Sequence, residues 1–158
     1  MDISFFDDNK KFNYRACAVI IDNGRILAMK DGNSPYYYLP GGRVKIGERA
    51  EDAVIRECRE ELGENLEIAR PLWLNQAFFI EDVEKMEYHE LCIYFLMDIS
   101  KSDILLKGNS FVFYENQRKN SFEWISFKEL KDKYFYPKFL KKDIFDLPER
   151  FSIRTEFE

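Results

Sequence analysis

Apolar residues along this chain recur at two spacings. They fall at every second position over much of its length and at every third or fourth over one central stretch. The first spacing predicts strands, because side chains alternate faces along an extended backbone; the second predicts a helix. Phe12–Ile21, with its run RACAVII, reads as a strand, and the turn-forming Asp22-Asn23-Gly24 folds it back into Arg25–Met29 as a hairpin. Asp31–Pro35 predicts a polar loop and Tyr36–Leu39 a short aromatic strand stopped by Pro40-Gly41-Gly42. Arg43–Ile46 then predicts a half-buried strand. Leu66–Ile80 predicts one or two strands interrupted near Pro71, and Met86–Ile99 a long, clearly marked strand. Lys101–Ser110 reads as a loop and Ser121–Ser126 as a strand. Phe127–Tyr134 and Lys138–Ile144 read as helices separated by Pro137, and Arg150–Phe157 as an extended or frayed tail.

The helical spacing covers Ala50–Leu62, with Gly63 as its stop. At about 100° per residue, Ala50, Val54, Ile55, Cys58 and Leu62 share an apolar sector, with Ala53 near its edge. Arg49, Asp52, Arg56 and Arg59 lie opposite, where solvent is expected. Glu61 falls inside the apolar sector, Glu57 at its margin, and Glu60 one step further round. Glu57 and Glu61 stack one turn apart, an arrangement that costs an isolated helix about 0.2–0.5 kcal/mol and more where the carboxylates are desolvated. One reading pairs these acids with Arg56 and Arg59 as a solvated, salt-bridged face. The other gives the inward carboxylates a hard divalent cation, which takes oxygen ligands. The inward placement favours the cation. So does the Gly41-Gly42 loop, where the absence of Cβ atoms lets a backbone carbonyl and a phosphate approach closely.

Composition narrows the picture. With 158 residues, 46% of them hydrophobic, the chain is long enough to bury a core, and we expect one domain over residues 1–158. Strands and helices do not alternate regularly, which predicts an α+β fold with a mixed sheet rather than a doubly wound parallel one. A net charge of −5 argues against a nucleic-acid polymer as partner. The single histidine, His89, excludes a multi-histidine zinc site. Cys17, Cys58 and Cys92 form no CxxC pair and read as reduced thiols, and neither a signal peptide nor a membrane-spanning run is seen. A cytoplasmic protein, with no membrane partner, is expected.

Gly42, Glu48, Arg56, Glu57, Glu60, Glu61 and Gly63 stand in the order and spacing GX5EX7REUXEEXGU, where U is a bulky aliphatic residue. This stretch resembles the Nudix box of the MutT-like Nudix hydrolases. Two U positions depart: Cys58 is small and Glu64 is charged. Both are packing positions, so they bear on helix docking rather than on metal binding. The LPGG lead-in and Glu123–Leu130 also look like the family. The resemblance implies a Nudix α/β/α sandwich around a central mixed sheet with one catalytic helix. It implies Mg²⁺- or Mn²⁺-dependent hydrolysis of a nucleoside diphosphate linked to a further group X. A nucleoside triphosphate, including oxidised forms, is one such substrate. By position, Glu57, Glu60 and Glu61 look like metal ligands, with the Gly42 carbonyl assisting, and Glu48 like the partner of the Arg56 guanidinium. Arg56, Glu48, Glu57 and Glu60 form the catalytic set. The alternative is a Nudix-fold module that senses a nucleotide without turnover. The partner is a small nucleotide or nucleoside-diphosphate derivative, bound by a monomer or homodimer.

Residues outside the box leave more open. The general base is Glu57, Glu60, Glu115 in the loop before the EWIS strand, or Glu90 on the long strand. Alternation points Tyr36 and Tyr38 one way and Tyr37 the other, so one face offers rings on which a base can stack. Asn75, Phe78 and Phe79 are further candidates for substrate contact. The segment Phe79–Asp82 has neither the proline nor the tyrosine that mark two Nudix substrate subfamilies, which favours a triphosphate or another nucleotide substrate.

Overall fold

The computed structural model describes all residues, Met1–Glu158, and opens with a strand not anticipated from the sequence, β1 (Ser4–Asp7). Strand β2 (Lys10–Val19) follows, then the hairpin β3 (Ile21–Asp22) and β4 (Arg25–Lys30). Asn23 and Gly24 make its turn at φ of 47° and 74°, the left-handed pair that matches strand twist. Next come β5 (Gly41–Arg43) and helix α1 (Ala50–Leu62). The long hairpin β6 (Glu67–Ile80) and β7 (Glu87–Asp98) leads through a short 3₁₀ turn to β8 (Ser110–Glu115) and β9 (Arg118–Ser126). Two one-turn helices, α2 (Phe127–Leu130) and α3 (Leu140–Asp143), precede β10 (Ser152–Phe157).

These strands form two sheets. The six-stranded sheet runs β1-β2-β7-β6-β10, with β5 also paired to β2. It is mixed: β2 lies parallel to β7 and β10 to β6, while the other pairs are antiparallel. The four-stranded sheet, β3-β4-β9-β8, is antiparallel. Alternation splits β2, β4 and β9 between two cores. Ala16, Ala18, Leu27, Met29, Phe122 and Trp124 pack with Val54, Cys58 and Leu62 of α1. Cys17, Val19, Ile26, Ala28 and Ile125 pack on the other side with Leu130, Leu140 and Ile144. The result is an α/β/α sandwich with α1 on one side and α2 and α3 on the other. No helix is long and apolar enough to cross a membrane.

Several expectations are corrected. The strand expected at Arg43–Ile46 is Gly41–Arg43, because the glycines lie tight against β2: a Cβ on Gly41 would stand 2.4 Å from the Ala16 carbonyl oxygen. Tyr36–Leu39 makes only isolated bridges, Tyr37 to Phe135 and Tyr38 to Met29. Leu66–Ile80 is one strand whose register with β7 shifts on both sides of Pro71. Glu115 ends strand β8 instead of lying in a loop; its pattern of exposed and half-buried residues belongs to a strand with one face in solvent. The helices expected at Phe127–Tyr134 and Lys138–Ile144 shrink to four residues each, and the tail is a paired parallel strand.

Candidate active site

Helix α1 brings the acidic residues together. Its first turn carries Glu51 and Asp52, suited to the positive end of the helix dipole, and Arg59 lies in its last turn. Gly63 stops it at φ 74°, donating to the Arg59 carbonyl. Asn120 donates to the Glu61 carbonyl at 3.1 Å and Lys107 to the Leu62 carbonyl at 3.3 Å, so β9 and the 3₁₀ turn satisfy the open end of the helix.

The carboxylates then divide by environment. Glu61 is 5% exposed, as its place in the apolar sector predicts, and accepts 2.8 Å from the Gly41 amide. Burial, reinforced by the Glu57 charge, pushes its pKa well above the ordinary carboxylate value, against the pull of that amide. Glu57 is half-buried and also raised, mainly by burial, with Arg56 opposing. Glu60 is exposed at the cavity edge. Gly42 faces Glu57 so closely that a Cβ there would lie 2.4 Å from its Oε1.

Arg56 departs from expectation. The helical wheel directs it to solvent, yet its side chain is only 17% exposed. It turns back across the helix start and places all five of its N–H donors. Nε and one amino group grip Glu48 at 2.8 and 3.0 Å, and that amino group also reaches the Arg43 carbonyl at 3.1 Å. The other amino group spans Glu57 at 2.9 Å and Glu60 at 3.3 Å. The bidentate bond holds the Glu48 pKa below its usual value and fastens the loop to the helix.

No three carboxylate, thiol or imidazole groups converge at metal-ligand distance. The donor set nonetheless fits a hard divalent ion. Glu57, Glu60 and Glu61 carry the carboxylate oxygens that could serve as ligands, and Arg56 bridges two of them. The buried Glu61 carboxylate has no cationic partner.

These groups line one end of a cavity of about 590 Å³, whose floor is the face of the large sheet bearing Asn13, Arg15, Cys17 and Glu90. Tyr36, Phe79, Tyr88 and Tyr136 line it elsewhere. Tyr36 packs edge-on against Tyr136 at 5.0 Å and donates to Glu81 at 2.9 Å, and burial pushes its hydroxyl up to about 12. Tyr38 donates to Asp31 at 2.6 Å, whereas Tyr37 points away and donates to Glu123. Glu115 reaches the cavity from the end of β8. Asn75 lies outside the lining: it is buried within the sheet, donates to Glu156 at 3.3 Å and leaves its Oδ1 without a partner. Its place mid-strand, rather than at the hairpin end with Phe79, keeps it there. Sequence reasoning missed Asn13, Arg15, Asp31 and Arg118 as lining residues. Polar residues at alternate positions of an otherwise apolar strand, as in Asn13 and Arg15, were the available signal.

Residues 11–143 match the family profile described as NUDIX domain. The chain belongs to the Nudix family. As a Nudix chain it is 35% identical over 68 residues to a putative 8-oxo-dGTP diphosphatase of Bacillus subtilis, covering 43% of this chain and 46% of that protein. It is 42% identical over 65 residues to the ADP-ribose pyrophosphatase of Methanocaldococcus jannaschii, covering 35% and 38% respectively. A putative nudix hydrolase of Caenorhabditis elegans is 27% identical over 122 residues, 63% of this chain and 33% of that one. The matches thus span from a third to under half of these curated relatives. Among solved structures, a MutT Nudix hydrolase from Burkholderia pseudomallei aligns with a TM-score of 0.60 and 26% identity, over 82% of this chain and 95% of that one. A MutT protein from Bacillus halodurans shares the fold at a TM-score of 0.61 and 15% identity, over 90% and 89%.

Proposed function

We propose that this Nudix chain, as a single domain in a reducing cytoplasm, hydrolyses the phosphoanhydride bond of a nucleoside diphosphate linked to a further group, with Mg²⁺ or Mn²⁺. The observation that carries the reading is the meeting of Glu57, Glu60 and Glu61 with the Gly41-Gly42 strand at one end of a cavity whose remaining walls include aromatic rings. Glu57, Glu60 and Glu61 would hold the cation, with the Gly42 carbonyl beside them. When bound, it neutralises phosphate charge and lowers the pKa of a water. Glu48 and Arg56 hold the loop against the helix. The Gly41 amide fixes Glu61, and the aromatic wall orients the nucleoside by stacking on Tyr36, with Tyr38 bordering it. Glu90 and Glu115 also face the cavity and stand beside Glu57 and Glu60 as candidates to take the proton from water.

The related diphosphatase and pyrophosphatase support a nucleoside triphosphate, including oxidised forms such as 8-oxo-dGTP, and ADP-ribose as first substrates to try. The assay is a panel of nucleoside triphosphates, 8-oxo-dGTP, ADP-ribose and nucleotide sugars with Mg²⁺ or Mn²⁺, reading phosphate and pyrophosphate separately. At least one should turn over, and Glu57→Gln should lower kcat on the order of 10²-fold or more. Nucleotide binding without product at stoichiometric enzyme would replace the hydrolase by a sensing module.

A further inference from the structure

Arg15 and Arg43 stand directly opposite each other where β2 pairs with β5. Residues opposed across an antiparallel pair point to the same face, and like charges so placed repel. Both line the cavity. Each has a single carboxylate neighbour, held at a long distance. Arg15 meets Glu90 only at 3.8 Å, Arg43 meets Asp2 only at 3.6 Å, and neither guanidinium makes a hydrogen bond. Arg56, a short distance away, uses every donor it has. The contrast is chemical: one arginine is a finished brace, and two keep unused hydrogen-bond donors in the cavity lining.

The floor beneath them is built to hold Arg15 in place. Ser4 donates to Asn13 at 2.7 Å, and the buried Asn13 donates to Glu90 at 3.1 Å, which leaves the other Glu90 oxygen facing Arg15. Arg15 is 29% exposed and Arg43 38% by side chain, so both stay reachable from the cavity. Two partly desolvated guanidinium groups on one face of the sheet become favourable when an anion with several oxygens reaches both. Planar forks match phosphate bidentately.

We infer that Arg15 and Arg43 form a clamp for a phosphoryl group of the substrate, distinct from the carboxylate set on α1. The inference rests on the phosphoanhydride reading above and adds to it a fixed position for one phosphate. The clamp would add arginine contacts to a diphosphate beside any cation that the α1 carboxylates would hold.

The test is calorimetric titration of methylenediphosphonate, a non-hydrolysable diphosphate, in saturating Ca²⁺. The proteins are the wild type, Arg15→Gln, Arg43→Gln and the charge-retaining Arg15→Lys. Each Gln variant should weaken the diphosphonate about tenfold or more, with Arg15→Lys between it and the wild type. Binding of Mn²⁺ alone and of a nucleoside alone should stay as in the wild type. For any substrate turned over, KM should rise more than kcat falls. Diphosphonate affinity unchanged in a folded Arg43→Gln would overturn the clamp. So would a parallel shift in Mn²⁺ affinity, which would make the arginines neutralisers of the α1 carboxylates, or a wild type that binds no diphosphonate. Lack of turnover with every nucleotide, while the diphosphonate results hold, would instead remove the hydrolase reading and leave the clamp standing.

Discussion

The Glu61 carboxylate accepts a 2.8 Å hydrogen bond from the Gly41 amide and so ties the last turn of α1 to the strand that precedes it by twenty residues. The carboxyl there is largely shut off from water. Its energetic consequence is a dependence on pH. Glu61 has a folded pKa above its ordinary value of 4.5, chiefly through burial. The folded state therefore holds that proton more tightly than the unfolded chain. The associated stability is complete below about 4.5 and is lost as pH rises through the folded value. In EDTA, the Tm difference between wild type and Glu61→Gln should move in favour of the Gln variant as pH climbs across that window. Scanning calorimetry from acid to neutral pH reads this directly. A difference independent of pH would show that Glu61 titrates as an ordinary carboxylate.

The Arg56 brace makes a separate claim. A lysine at this position offers three donors and no planar fork, so it cannot serve Glu48, Glu57, Glu60 and the Arg43 carbonyl together. With side-chain exposures of 17% and 16% for Arg56 and Glu48, the pair is well shielded from solvent. Arg56→Lys should lower unfolding free energy by about 2–4 kcal/mol, between the value of a charged hydrogen bond and that of a broken buried ion pair. Urea denaturation is the measurement. A loss under about 0.5 kcal/mol, the size typical of a surface substitution, would reduce the brace to a surface contact.

Two glycines separate function from stability. At Gly42 a Cβ would lie 2.4 Å from Glu57 Oε1, the end of a side chain that can swing aside. Gly42→Ala should therefore fold with little loss but bind Mn²⁺ at least about tenfold more weakly, a shift of roughly 1.4 kcal/mol. At Gly63 the residue sits at φ 74° and a Cβ would meet the Phe113 ring at 2.4 Å. Gly63→Ala should lose about 1–3 kcal/mol of stability. Its Mn²⁺ affinity, measured well below its Tm, should stay as in wild type. The reverse pattern in the pair would contradict the placement of both residues.

Local signals carried the helix and the loop that starts it. The 3.6-residue spacing placed α1 at Ala50–Leu62, and the inward position of Glu61 followed from the same geometry. The Asn23-Gly24 turn and the long β7 were equally local. What escaped depended on partners distant in sequence. Strand β8 has an exposed face and takes its order from β9, so Glu115 looked like a loop residue. Strand β10 exists by lying along β6, which is distant in sequence. Arg56 was misplaced because the wheel locates a Cβ, while a long side chain can fold back to charges on its own helix and the preceding loop. Arg15 and Arg43 were invisible as a pair, since the register of β2 with β5 is nowhere written in either segment.

The aromatic wall gives the last prediction, and it concerns specificity. Tyr36 packs edge-on on Tyr136 at 5.0 Å while its hydroxyl is committed to Glu81 at 2.9 Å. The ring is thus fixed in orientation before any nucleoside arrives, and a fixed ring loses little entropy on stacking. Tyr36→Phe keeps the ring and frees Glu81; Tyr36→Ala removes both. If the ring stacks the base, Phe should leave KM for the preferred nucleotide within about twofold, while Ala raises it by roughly 3- to 10-fold, the equivalent of 0.5–1.5 kcal/mol. Affinity for methylenediphosphonate, which has no base, should be the same in both variants. Equal KM values for Ala and wild type would move the nucleoside off this wall. A rise in the Phe variant as large as in Ala would assign recognition to the Tyr36–Glu81 hydrogen bond instead of the ring.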